Sequence, residues 1–288
     1  MKNLFCLFII LSSSFVFGQT KDELIKQMID YNVLDSDCVG IACMPSEQFK
    51  RFEKLKTLIS EEELLELSKH KKPIIRAYAS QELINRDAKY ILQIFPFEID
   101  KNEMVETQDG CLGGFDDLSW LVYNSYRWKI ASAAITKSDT VDNIRNAKIE
   151  KALADDKTFQ SLNYIILYSG KDLSYLLYRS ILEDNKLDSN LLPRIKDLAF
   201  KYNNSYAFDC ISDKYPEEVE KYFEKYFLKA NFNSRNKVMY LDRFVEYLLD
   251  SKNEKYKNLV IRKLKKDNSW KKHVSWIEQK LEKHKIVL

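Results

Sequence analysis

Ser60-Glu-Glu-Glu-Leu-Leu-Glu-Leu-Ser-Lys-His70 and, after Lys71-Lys72, Pro73-Ile-Ile-Arg-Ala-Tyr-Ala-Ser-Gln-Glu-Leu83 read as two helices joined by a polar turn. Ser60 and Glu63 form a capping box: the serine hydroxyl accepts the amide of residue 63 while the glutamate reaches back to the cap. Leu64, Leu65 and Leu67 then lie on the inward side of the first helix. Pro73 fits the first turn of the second, where its missing N–H costs nothing. Ile75 and Leu83 face the core of the pair, and the small Ala79 lets the helices approach closely.

Outward from this pair, the three-four spacing of apolar residues recurs along the chain. Leu24, Ile25, Met28 and Ile29 mark a helix over 21–34, and Ile91, Leu92, Ile94 and Phe95 mark another that closes before Pro96. After residue 118 the stripes follow one another with short connections. Examples are Leu192, Ile195, Leu198 and Ala199, then Val238, Leu241, Val245 and Leu248. Six glycines and five prolines in 288 residues are too few for the tight turns of a β-sandwich or barrel. Two stretches lack a helical stripe, 35–48 and 96–117, and are expected to be irregular loops. The expected organisation is a single α-helical domain over 19–288.

Pro73, Ile75, Arg76, Ala79 and Leu83 resemble, position by position, the second helix of a HEAT-like repeat. Leu192–Tyr202 echoes the pattern through Pro193 and Ala199 but lacks the Ile-Arg pair, and the other helices fit by spacing only. The resemblance implies an all-α fold, a right-handed α-solenoid of stacked antiparallel hairpins. It further implies that Arg76 is structural, contacting an acidic residue of the neighbouring unit. Folds of that kind mostly bind peptides or proteins on a concave face.

The chain opens with Lys2, an apolar run from Leu4 to Phe17 broken only by Ser12–Ser14, and Gly18-Gln19. This is the pattern of a signal peptide, residues 1–18, and places the protein outside the cytoplasm, secreted or periplasmic. The Phe17-Gly18-Gln19 ending is similar to signal peptides common in the Bacteroidetes. No other segment has the length of a membrane span. Export permits disulfides, and four of the five cysteines lie beyond the leader: Cys38, Cys43, Cys111 and Cys210. Cys38 and Cys43 bracket Gly40 and are the favoured pair. Cys111 paired with Cys38, Cys43 or Cys210 is the competing solution, and Cys210, at helical spacing from Ala207, also reads as a buried thiol. The net charge is +3, yet Ser251–Leu288 holds twelve Lys/Arg against four Asp/Glu. That basic quarter reads first as a solvated helix face, and the leader argues against a nucleic-acid partner.

Motifs that carry chemistry are missing: no phosphate-binding glycine loop, no His-Glu-x-x-His, no Gly-x-Ser-x-Gly. The three histidines, 70, 273 and 284, are scattered and form no zinc ligand set with the cysteines. No catalytic residue, metal or cofactor is assigned. The most unusual stretch is Glu106-Thr-Gln-Asp-Gly-Cys-Leu-Gly-Gly-Phe-Asp-Asp117. Asp109, Asp116 and Asp117 could ligate calcium or line a binding face; the plainer reading is a glycine turn with an aspartate capping the next helix. Trp120 and Trp128, two turns apart, belong to the core or line a groove. The function these observations favour is an exported interaction module that binds a protein or peptide. The alternative is an exported hydrolase with its site in 106–128.

Overall fold

The structure is a computed structural model and describes residues 19–136, 141–171, 173–182, 189–202, 204–229, 235–266, 269–272 and 275–288. Residues 1–18, expected to be a signal peptide, and His273 lie outside the described residues. The chain divides into two compact units after Phe159.

In the first unit, Thr20 and Glu23 close a capping box over α1, Lys21–Tyr31. Asn32 takes a left-handed conformation (φ 56°) and ends the helix, and the chain enters strand β1, Val33–Val39. A disulfide-closed turn leads to the short β2, Met44–Pro45. Then come α2 (Glu47–Lys56), α3 (Glu61–Leu67) and α4 (Pro73–Arg86). After a short 3-10 turn, α5 covers Ile91–Lys101. Strands β3 (Met104–Gly110) and β4 (Leu112–Asp117) follow, then α6 (Leu118–Ala134) and α7 (Asp142–Asp155).

The strands form one sheet in the order β2-β1-β3-β4, with β1 and β3 parallel and the other pairs antiparallel. The expectation of an all-α solenoid is therefore wrong: the protein is a mixed α/β structure, and both stretches expected to be irregular loops contain strands. The cause is local. Gly110, at φ +52°, starts a two-residue turn between the paired Asp109 and Leu112. A positive φ at the first central position is the type II′ geometry that matches the twist of a hairpin. Opposite Gln108, a Cβ on Gly113 would come within 2.5 Å of the glutamine Oε1. The glycine cluster thus belongs to a hairpin, not to a wandering loop. Leu34 and Val105 are the buried apolar residues of the sheet, and α4 lies against both β1 and β3. Helix α5 also runs through Pro96 instead of stopping before it. Pro96 and Leu92 are on the exposed side, where water can take the carbonyl the proline leaves unbonded.

Helix α4 is the centre of this unit. Every side chain from Ile74 to Ser80 is buried, as are Leu83 and Ile84. It packs on α3 within the quoted stretch and also touches α1 and α6. Ile75 and Ala79 are buried, whereas Pro73 is half-exposed at the first turn.

Helix α8, Lys157–Tyr168, leads into the second unit. There α9 (Tyr175–Leu182), α10 (Leu192–Phe200), α11 (Ser205–Lys214), α12 (Pro216–Lys229), α13 (Arg235–Asp250), α14 (Glu254–Lys266) and α15 (Ser275–Lys283) pack on one another. Phe208 is central, 4.2 Å between ring centroids from Phe244 and 5.2 Å from Tyr247. None of the described helices is long and apolar enough to cross a membrane.

Candidate functional site

The buried end of the first unit is organised by Arg76. Its Nε donates to Glu98 Oε1 at 2.8 Å and its Nη2 to Glu98 Oε2 at 3.2 Å. The same Nη2 reaches Glu103 Oε2 at 2.6 Å, and Nη1 donates to the His70 carbonyl at 3.0 Å. One guanidinium therefore ties the end of α3 to α5 and to Glu103, the residue just before β3. Arg76 is 1% exposed and Glu98 is fully buried. Burial pushes the Glu98 carboxyl above its ordinary pKa while Arg76 pulls it down. His70 is a turn residue: its Nδ1 accepts the Lys72 amide at 3.1 Å, and burial lowers its pKa. This is structural chemistry: the guanidinium makes four hydrogen bonds, all to groups of the protein.

A second polar knot holds the root of the sheet. Asp35 is buried, and its Oδ2 accepts from Ser46 Oγ at 2.7 Å. Ser46 in turn caps α2 by accepting the Phe49 amide at 3.0 Å. The Tyr78 hydroxyl accepts the Asp35 amide and donates to its carbonyl, both at 3.0 Å, filling the ladder position that the short β2 does not reach. Burial and the nearby Asp35 charge raise the pKa of Tyr31, which stands over this knot. Asp35 Oδ1 is left without a hydrogen-bond partner. Nothing in the spacing of Asp35, Ser46 and Tyr78 announces their meeting, because it depends on how β1 packs against α2 and α4.

Beyond these anchors the sheet projects a solvent-exposed tip. Cys38 and Cys43 are disulfide-bonded, with Cα atoms 4.8 Å apart. The turn they close is tied to the hairpin by Gly40 N–H donating to the Gly110 carbonyl at 2.7 Å. Cys111, in the β3–β4 turn, is an exposed free thiol, and Cys210 is a buried one in α11. Asp109 is exposed and faces Leu112 across the turn. Asp116 accepts from Thr107 Oγ1 at 2.8 Å. Asp117 is the N-cap residue of α6 and pairs with Met104. The extended chain from Leu112 to Asp116 covers about 13 Å, so Asp109 does not join the other two aspartates. Among the described residues no group of three or more His, Cys, Asp or Glu side chains could hold a metal ion.

Trp120 is half-buried, its ring 6.0 Å from Tyr123, and Trp128 is exposed two turns further along α6. Eight residues of helix separate them by about 12 Å. Trp128 neighbours Lys129, whose Nζ caps the Ile84 and Asn85 carbonyls at the end of α4. The structure thus brings neither tryptophan into a common cavity with the aspartates. What it does gather along the hairpin and the disulfide turn are apolar side chains that periodicity does not single out. Leu112 is 74% exposed, Phe115 67% and Met104 50%, with Ile41 and Met44 in and after the disulfide turn also exposed. Phe115 pairs with Glu106 and Met104 with Asp117, so Phe115 and Met104 lie on one face of the hairpin.

In the second unit several basic side chains of the C-terminal quarter meet acids. Lys255 and Arg262 approach Glu224, Lys280 bridges Asp242 and Glu246, and Lys283 and His284 share Asp250. Glu224, Lys255, Asn258, Leu259 and Arg262 line a surface cavity of about 280 Å³.

Compared with protein-family models, curated proteins and solved structures, the chain matches none.

Proposed function

We propose that the protein is an exported, non-enzymatic binding module that contacts a protein or peptide through the β3–β4 hairpin and the adjoining disulfide turn. The observation that carries this reading is the exposure of Leu112 and Phe115 on a terminal strand. Large apolar side chains that stay wet at a sheet edge are costly to keep unless something covers them, and natural edges are normally blunted by lysine, proline or a bulge. None of those devices stands in 112–117. The Cys38–Cys43 bond and the leader pattern of 1–18 support export to a secreted or periplasmic location. The pairing of Lys280 and Lys283 with acids supports reading that part of the C-terminal quarter as a solvated surface, not as a nucleic-acid face.

The test is site-directed photocrosslinking in the producing cell. A photoreactive residue at 112 or 115 should yield a discrete protein adduct, and the same residue at Lys271 in the second unit should not. Equal labelling from both places, or none from the hairpin, would sink the reading. Mass spectrometry of the exported chain should find it beginning at or near Gln19; retention of residues 1–17 would remove the argument for export.

A further inference from the structure

We infer that the partner is held by β-strand addition: an extended basic segment pairs with the outer edge of β4. The inference rests on the reading of the hairpin as the contact surface and adds the mode of contact and the chemistry of the occupant.

The two-residue turn makes Asp109 and Leu112 the closing, hydrogen-bonded pair of the hairpin. Hydrogen-bonded and non-bonded pairs alternate from there. Leu112 and Gly114 therefore direct their backbone groups into β3, and Gly113 and Phe115 direct theirs outward. β4 ends the sheet among the described residues, so this outward row faces no further strand. The face beside this edge is also uncrowded: a Cβ at Gly114, which would project out of the sheet, would meet nothing within 4 Å. An incoming strand can approach as closely as a sheet partner does, at about 4.8 Å.

Charge selects the occupant. Residues 103–117 contain Glu103, Glu106, Asp109, Asp116 and Asp117 and no Lys, Arg or His. Glu103 is paired with Arg76 and Asp116 is engaged by Thr107. Glu106 and Asp109 remain exposed, on opposite faces of the hairpin. A fitting segment places an apolar residue beside Phe115 and Lys or Arg at its neighbours, which point to the other face, that of Asp109. A second copy of β4 is a poor occupant, because it would set these carboxylates against their own kind.

The probe is a short acetylated peptide alternating valine and lysine, followed by amide shifts in the folded full chain. It should bind with its largest shifts at Gly113 and Phe115. A version with glutamate for lysine should bind more weakly by on the order of tenfold or more, and a fully N-methylated version, which keeps the side chains but cannot donate to an edge, should not bind. Phe115→Ala removes a contact but keeps the outward N–H and should weaken binding; Phe115→Pro removes both and should abolish it, with thermal unfolding unchanged in each. Equal binding of the N-methylated peptide, or equal affinity of the two proline and alanine variants, overturns strand addition while leaving the hairpin as a contact surface. Equal binding of the glutamate peptide overturns the charge argument. Concentration-dependent self-association with shifts at the same two amides assigns the edge to a second copy and overturns it as well. Loss of photocrosslinks at 112 and 115 would instead remove the underlying reading.

Discussion

Helix α4 and strand β4 sit in the same unit and are opposites in how they meet water. From Ile74 to Ser80 every side chain of α4 is buried, whereas Leu112 to Phe115 of β4 are all exposed. They are nonetheless joined. Arg76 of α4 holds Glu103, whose backbone carbonyl accepts the Leu118 amide at the root of the hairpin, 3.0 Å away. The difference teaches where stability and recognition reside. Interactions that fix the hairpin lie at its root, in a desolvated cluster, and the tip is left free to spend its backbone and apolar groups on something else.

The largest expected effect comes from breaking that root. Arg76→Ala leaves the Glu98 carboxylate buried without its cation, and removing one partner of a buried pair costs about 3–5 kcal/mol. The pH dependence has a defined sign. Glu98 in the variant would have a folded pKa raised above its ordinary 4.5 by burial, so stability is lost as pH rises through that raised value and recovered below 4.5. Denaturant curves should therefore show the deficit shrinking in acid, and Glu98→Gln in the variant background should recover part of it near neutral pH. An unchanged midpoint in Arg76→Ala would mean the cluster does not hold the root. Next in size is Leu83→Ala, a cavity in the fully buried face of α4, with an expected loss of about 2–5 kcal/mol. A loss below 1 kcal/mol would show that the helix is less tightly packed than its burial indicates.

The third effect is smaller and lies between the two regions. The Cys38–Cys43 bond closes a loop with a sequence separation of only 5. Loop entropy of that size is worth about 2 kcal/mol. Cys38→Ser with Cys43→Ser should lower the unfolding free energy by that amount and broaden the Gly40 and Gly110 amide signals, since Gly40 N–H is tied to the Gly110 carbonyl. Peptide mapping without reduction should recover Cys38 linked to Cys43. Recovery of either linked to Cys111 would contradict the assignment.

These magnitudes also explain what could be read from residues alone. The helices were legible because apolar spacing and caps act over a few residues: Ser60 with Glu63 closes its box at 3.2 Å and 2.9 Å with no help from elsewhere. Strand β1 was illegible because Val33-Leu-Asp-Ser-Asp-Cys-Val39 has no alternation to follow; only Leu34 faces the core, and Asp35 is buried through Ser46 and Tyr78 instead. The parallel partner β3 begins more than sixty residues later, after four helices, and its register is set by packing that no local window contains. The glycines of β4 point, on sequence alone, to a loop, since a strand interior normally avoids them. A two-residue turn led by Gly110 followed by a bare edge uses the same residues for another purpose. Asp109, Asp116 and Asp117 are close in sequence, but pairing across the hairpin sends them to its tip and its base.

The smallest expected effect is the one that sharpens the comparison most. Leu112→Ser and Phe115→Ser should leave stability within about 0.5 kcal/mol of the parent. Both side chains are mostly wet in the free protein, so unfolding exposes little further area, and the transfer contribution of about 25 cal/mol per Å² has little to act on. The pairing of β4 with β3 is made by backbone groups that serine preserves. The same changes should abolish the crosslinks expected at this tip. A core residue shows the reverse pattern, losing stability and function together. A clear drop in the midpoint for Phe115→Ser would place its ring in the fold, and the contact surface would have to be sought elsewhere.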